Sequence, residues 1–303
     1  IINYEFSLLI TSTHRTMKLK NILAATTLAL AASAYAQPQY VTIENPQIDL
    51  NKLKVDKEGY YVLFDGTSLD GWRGYCKNYI PSKWNIKDGS LHFDGRTSNG
   101  EGGDIIFAHK FKNFVFEIEW KISEGGNSGI FYLGKETATI NNDAPKTKET
   151  KADNLTITQT IDNRGKLNYQ PIYISCPECQ VLDNERHPDA KLGKTLGIRQ
   201  STSLYDMIIA KPQNANPAGQ WNKVKIVAKN GKVTHYQNGV KVLSYTLGDS
   251  SWVDLLQTSK FSEKNWPLAF EIMKDCGKDA GYFGMQDHGD EVWYRNIRVK
   301  VLK

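Results

Sequence analysis

WNKVKIVAKNGKVTHYQNGVKVLSY, residues 221–245, decides the fold class. Two Asn-Gly pairs, at 230–231 and 238–239, separate runs in which apolar and polar residues alternate. Asn-Gly accepts the left-handed backbone of a two-residue hairpin turn, so the segment predicts a three-stranded antiparallel meander. FVFEIEWKI (114–122) alternates just as cleanly, with Phe114, Phe116, Ile118, Trp120 and Ile122 on one face and Glu117, Glu119 and Lys121 on the other. That period of two describes a strand with one buried face. GYFGMQDHGDEVWYRNIRVKVL (281–302) predicts a strand, a Gly-Asp turn and a final strand. One short helix is expected near Ser251–Lys260, capped by Ser250 or Ser251. Many strands, turns rich in Gly and Asn and little helix predict an all-β antiparallel sandwich or barrel.

The polar stretch 135–170 shows little periodicity and predicts a long excursion, with a small hairpin around Leu155–Leu167. It is either a surface insertion or the rim of a cleft. From Met17 the chain reads MKLKNILAATTLALAASAYAQ. A basic Lys18/Lys20 region, an apolar run and Ala34-Tyr35-Ala36 predict a secretory signal peptide over 17–36. Residues 1–16 read as a spurious extension of the frame, 37–59 as a linker, and 60–303 as the domain. Export to the periplasm or beyond is expected, with no membrane insertion.

Setting aside Glu5, Arg15, Lys18 and Lys20, the chain carries 35 basic against 32 acidic residues. So mild a charge, with no basic block, gives no support for nucleic-acid binding. Cys76, Cys176, Cys179 and Cys276 allow three disulfide pairings, which spacing does not resolve. Cys176-x-x-Cys179 lacks the second pair that a structural zinc needs, and it leads into a strand rather than a helix. No metal site is expected there.

The side chains that could carry chemistry stand out by alternation. In PECQVLDNERHPDA (177–190), Cys179 and Val181 share one face while Glu178 and Gln180 share the other, before the run breaks at Asp183. In YFGMQDHG (282–289), Phe283 and Met285 point one way and Tyr282, Gln286 and His288 the other. Two strands that each offer proton-handling groups on the face away from the core suggest a ligand-facing sheet. A merely solvated face would more cheaply use Lys and Thr. Asn127 opens an apolar strand, Tyr205 and Asp206 interrupt another apolar segment, and Arg73 follows Trp72 where it could clamp a hydroxyl or carboxylate. Each of these last four also has an ordinary structural use. His187 and His235 read as structural or solvent-facing.

The strings LFDGTSLDGWRGY (63–75), NFVFEIEWKISEGGNSGIFYL (113–133), PECQVLDNERHPDA, SLYDMI (203–208), PAGQWNKVKI (217–226), HYQNGVKV (235–242) and GMQDHGDEVWYRNIRVK (284–300) run in order through nearly all of the expected domain. Together they resemble the 3-keto-disaccharide hydrolase family of exported bacterial proteins. The resemblance implies a concanavalin A-like jelly roll of two antiparallel sheets, with sugar bound on the concave one. Its pocket residues would map onto Glu178, Gln180, Asp183, Gln286 and His288. Cysteine at 176 and 179 departs from the pattern, and a disulfide straddling Glu178 would distort that strand.

The chemistry then has three forms. A glycosidase acting by direct displacement needs two carboxyl groups, about 5–5.5 Å apart when retaining and about 6.5–9.5 Å apart when inverting. Glu178 and Asp183 would lie roughly 16 Å apart on an extended strand and on opposite faces, so that strand supplies only one. A 3-keto sugar needs less: a base for the acidified C2 proton, an acid for the leaving oxygen and donors for the enolate. Glu178 and His288 are the expected acid and base, with Gln180, Gln286 or a divalent cation at the enolate; no other cofactor is called for. That route implies a glycoside substrate and a partner oxidoreductase that installs the ketone. A lectin-like module with the same fold and no turnover is the third form.

Overall fold

The computed structural model describes residues 40–141 and 166–303. The expected frame extension and signal peptide, and all but the last two residues of the hairpin expected at Leu155–Leu167, lie outside the described residues. In chain order the strands are β1 (Tyr40–Thr42), β2 (Tyr61–Phe64), β3 (Trp72–Gly74), β4 (Trp84–Lys87), β5 (Ser90–Phe93), β6 (Ile105–Phe111), β7 (Phe114–Ile122) and β8 (Asn127–Gly134). They continue with β9 (Thr137–Asn141), β10 (Lys166–Gln170), β11 (Glu178–Leu182), β12 (Asn222–Lys229), β13 (Lys232–Gln237), β14 (Val240–Thr246), β15 (Gly281–Met285) and β16 (Val292–Val301).

The meander forms as its turns dictate. β12, β13 and β14 pair antiparallel, and both Asn-Gly turns take positive φ at both residues (51° and 80°, then 49° and 84°), the primed-turn geometry that suits the twist of the strands. β7 docks on β12, so the meander becomes one end of an eight-stranded sheet of order β14-β13-β12-β7-β16-β5-β4, with β2 alongside β16. Glu117 of β7 faces Arg298 of β16 across the pair, at 2.7 Å, on the side away from the core.

A five-stranded sheet of order β11-β8-β15-β6-β3 stacks on it. The core lies between the two: Phe283 of β15 stacks on Phe116 of β7 at 4.1 Å and meets Phe114 edge-on at 4.8 Å. Such contacts contribute about 0.5–1.5 kcal/mol each beyond the area they bury. The protein is thus an antiparallel β-sandwich, and β15 and β16 are not a hairpin. The Gly289-Asp290 turn between them carries the chain from one sheet to the other.

Three features differ from the sequence reading. Residues 40–42, expected in a linker, form β1, which pairs with β9; β10 pairs with the other side of β9 to make a small third sheet, so the polar excursion begins and ends in strands. The expected helix spans Ser250–Gln257, but its cap is Asp249, whose carboxylate accepts from the Trp252 N–H. A second helix, Pro267–Met273, escaped notice because its apolar residues, nearly continuous, show no helical period. It starts on a proline whose missing N–H costs nothing at that position.

Candidate active site

The alternation in β11 places its side chains as read. Cys179 and Val181 enter the core between the sheets, while Glu178 and Gln180 line a cleft on the other face. β11 is the edge strand of its sheet, but the chain returns beside it. Gln180 N–H donates to Ser203 O, Thr202 N–H to Gln180 O and Tyr205 N–H to Glu178 O. This added backbone leaves β11 paired on both sides and brings the Tyr205 ring over the cleft.

The next strand, β8, contributes Asn127 at its first residue, and the segment after β15 contributes Gln286, Asp287 and His288. Two hydrogen bonds fix that segment: Gln286 N–H to Gly129 O at 2.9 Å, and Asp287 N–H to the Asp104 carboxylate at 2.9 Å. Asp104 immediately precedes β6. Tyr173, Lys260 and Trp266 complete a cleft of about 280 Å³. A hollow of about 360 Å³ on the outer face of the other sheet is larger, but its Glu117, Lys223 and Arg298 are paired with one another. That pairing makes it a salt-bridge network rather than a site.

Of the residues selected by sequence, Glu178, Gln180, Asn127, Tyr205, Gln286 and His288 are brought together. Asp183, Asp206 and Arg73 stand elsewhere, each in structural work. Asp183 accepts from the N–H groups of Gly125, Glu185 and Arg186, closing the turn after β11. Asp206 pairs with Arg199 at 2.7 Å and accepts the Lys260 N–H. Arg73 makes a buried two-pronged ion pair with Glu136, at 2.6 and 2.8 Å. Asp104, Lys260, Tyr173, Trp266 and Asp287 were missed. GGD at 102–104 was a usable signal for Asp104, an acid set between two glycines and an apolar strand. Lys260 follows a helix and carried none.

The electrostatics set this cleft apart. Glu178 is almost fully buried, and burial pushes its carboxyl up to about 8, against the opposing pull of Lys260. Burial also raises Asp104, to about 7, and lowers Lys260. Groups held away from their ordinary protonation states in a shared cleft mark working sites. Three amides add to this: Asn127 Oδ1, Gln180 Nε2 and Gln286 Oε1 are buried with no protein partner. At the rim, the ligand atoms of His187, His288 and Asp290 lie within 4.8 Å of one another, a spacing that could hold a metal ion. Asn127 Nδ2 lies 3.3 Å from His288 Nε2. His187, read as structural or solvent-facing, therefore faces His288. His235 is fully buried against the Tyr132 hydroxyl, at 2.7 Å.

All four cysteines are free and buried. Cys176 donates to Ile172 O, Cys179 of β11 sits in the main core, and β11 pairs with β8 in unbroken register. The disulfide that would have bent the site is absent.

The chain is an antiparallel sandwich in which amides, perturbed carboxyls and aromatic rings gather in one cleft beside the five-stranded sheet, the makings of a candidate enzyme site. The chain belongs to the family of the 3-keto-alpha-glucoside-1,2-lyase-like domain, whose model matches residues 59–300. It is 52% identical over 267 residues to the 3-keto-disaccharide hydrolase of Bacteroides thetaiotaomicron, covering 86% of this chain and 84% of that protein. Among solved structures, a glycosyl hydrolase-like protein from Parabacteroides distasonis shares the fold, with TM-score 0.58 at 24% identity, over 81% of this chain and 95% of that one. The chain is an enzyme of the glycoside hydrolase type.

Proposed function

We propose that the protein cleaves 3-keto-glycosides by elimination followed by hydration, in the cleft between Glu178 and the QDH segment. The observation that carries this is the ring of amides around one protonated carboxyl. Asn127 Oδ1 and Gln286 Oε1 are left free to accept from the hydroxyls of a polyol, and Gln180 Nε2 is left free to donate to a developing enolate. Glu178 is held protonated by burial, the state required of an acid that hands its proton to the glycosidic oxygen. The ketone acidifies the C2 proton, so no carboxylate nucleophile is needed at C1. The name of the Bacteroides thetaiotaomicron relative supports a keto-disaccharide as substrate. An oxidoreductase must then supply the ketone. The signal-like segment 17–36 supports action outside the cytoplasm, where the mass of the secreted chain would show cleavage after Ala36.

Asp104 favours a second reading. It gives the cleft the second carboxyl group that β11 lacks, and with Glu178 it could serve direct displacement on an unoxidised glycoside. One comparison separates them: aglycone release from 3-keto-glucosides of each anomer beside the unoxidised glucosides. Turnover confined to the keto substrates is expected, falling at least about 100-fold in Glu178→Gln. Equal turnover of the unoxidised glucosides would sink the elimination route.

A further inference from the structure

We infer that Lys260 is the base that removes the C2 proton, working as a pair with Glu178; the inference rests on the keto-glycoside reading above. Among the described residues that line the cleft, Lys260 is the one lysine or arginine. Its Nζ lies 4.2 Å from the centroid of the Tyr205 ring, 5.0 Å from Phe261 and 5.6 Å from Tyr173. Among the described residues that nitrogen has no ion pair and no hydrogen-bond acceptor, although it lines the same cleft as Glu178. The lysine is nevertheless held in place. Its backbone N–H donates to Asp206 Oδ2 at 2.9 Å, and Arg199 holds Asp206 at 2.7 Å.

An amine walled by rings and stripped of acceptors has a free lone pair whenever it is neutral. Burial favours that neutral form, opposed by Glu178, Asp206 and Asp189 and assisted by Arg199. A lysine drawn down toward neutrality in this way is a competent general base. The ring faces meanwhile stabilise the ammonium once it forms, so their attraction grows along the reaction coordinate. His288 is less suited, since it is exposed at the rim and its Nε2 faces Asn127.

The proton accounting closes on these two residues. Burial favours a resting state of Lys260 amine and Glu178 carboxylic acid. The amine takes the C2 proton, and the C–H electron pair moves onto the C3 oxygen as an enolate. That pair returns to form C1=C2 as the C1–O bond breaks, and the leaving oxygen takes the proton of Glu178. The products are the enone, a Lys260 ammonium and a Glu178 carboxylate. Water then adds to C1, losing its proton to Glu178, while C2 regains a proton from Lys260. The starting state returns, with no oxidant or reductant consumed.

The test separates proton removal from bond cleavage. A 1,5-anhydro-3-keto-glucitol has no leaving group, so in D2O it reports C2 exchange alone; a 3-keto-glucoside reports cleavage. Wild type is expected to do both. Glu178→Gln should keep exchange within about tenfold while losing cleavage at least about 100-fold. Lys260→Met and Lys260→Arg should lose both by about 100-fold or more. Alkylating Lys260→Cys with bromoethylamine, which restores an amine while the buried native thiols stay unreacted, should recover exchange and exclude a folding defect. Near wild-type exchange in Lys260→Met, or full rescue by arginine, would overturn the base assignment and leave the keto-glycoside reading standing. A wild-type protein that neither exchanges nor cleaves would overturn that reading and the Lys260 role with it.

Discussion

Glu178 lies folded across Gly129. Gly129 sits opposite Gln180 on the adjacent strand, so Glu178 reaches it diagonally, and a methyl group on Gly129 would meet the Glu178 carboxylate, coming within 2.9 Å of its Cδ and 3.0 Å of its Cγ. Real Cβ atoms do not sit so close, so an alanine there has to push the carboxyl out of its place. The backbone of Gly129 is not in the left-handed region, so no other strain is added. Gly129→Ala should therefore leave the thermal midpoint within a few degrees of wild type and cut turnover by about 100-fold, comparable to losing the acid itself. Wild-type turnover in a folded Gly129→Ala protein would show that the position of Glu178 does not matter.

Asp104 and Glu178 also make the free protein sensitive to pH. Both have folded-state values above their ordinary ones, near 7 and near 8, so these two groups bind more protons in the native state than in the unfolded chain, while Lys260, lowered by burial, acts in the opposite sense. Stability falls with rising pH wherever the native state binds more protons. The contribution of these two groups should be full below about pH 4, decline as pH rises through 7 and 8, and be lowest above that. The Glu178 share is on the order of a few kcal/mol. Thermal midpoints should fall from pH 5 to 9 more steeply in wild type than in Glu178→Gln. A variant with the same slope would show that Glu178 titrates normally.

The buried Arg73–Glu136 pair holds the smaller sheet to the third one rather than serving substrate. Glu136 is wholly buried and also accepts the Cys76 N–H at 2.7 Å. Removing the guanidinium leaves a carboxylate buried without its charge partner, which costs about 3–5 kcal/mol. Arg73→Met should lower the midpoint sharply while KM for substrate stays unchanged in the folded fraction. A large KM increase at unchanged stability would return Arg73 to the binding residues.

Local periodicity carried most of this fold. Strand alternation and the Asn-Gly turns depend on neighbours in sequence, so β7, β11 and the β12–β14 meander were legible, as was the cleft-facing side of Glu178, Gln180, Gln286 and His288. Asp104, Lys260 and Trp266 were not. They reach the cleft from loops and helix ends, where no period records direction and only the tertiary path brings them to β11. Asp183, Asp206 and Arg73 misled for the converse reason. A polar residue in an apolar run signals a satisfied hydrogen-bond need as readily as a ligand contact, and sequence does not show the partner.

The thiols should be silent. Burial raises Cys76, Cys176, Cys179 and Cys276 above the ordinary thiol range, which removes the reactive thiolate. An aromatic disulfide reagent should titrate none of them in the native protein and all four after denaturation. Rapid reaction of even one native thiol would place it outside the core.

Gln180 offers the sharpest test of how the cleft receives an oxygen. Its own Oε1 accepts the Val181 N–H at 2.9 Å, which fixes the amide so that the NH2 end is left over; that nitrogen is buried with no protein partner. The cleft thus presents a free donor, which the proposed reaction would use at the C3 oxygen as it gains charge. Gln180→Glu keeps the shape and the acceptor to Val181 but replaces the donor with a second acceptor beside Glu178. Repulsion between the two carboxylates then raises Glu178 further. Removing one such donor costs roughly 10²–10³ in turnover, and the charge should bring Gln180→Glu to at least the upper end of that range. Gln180→Leu, which loses the donor without adding charge, should sit at the lower end. Turnover in Gln180→Leu close to that of wild type would mean that the side chain gives no hydrogen bond to the reacting oxygen.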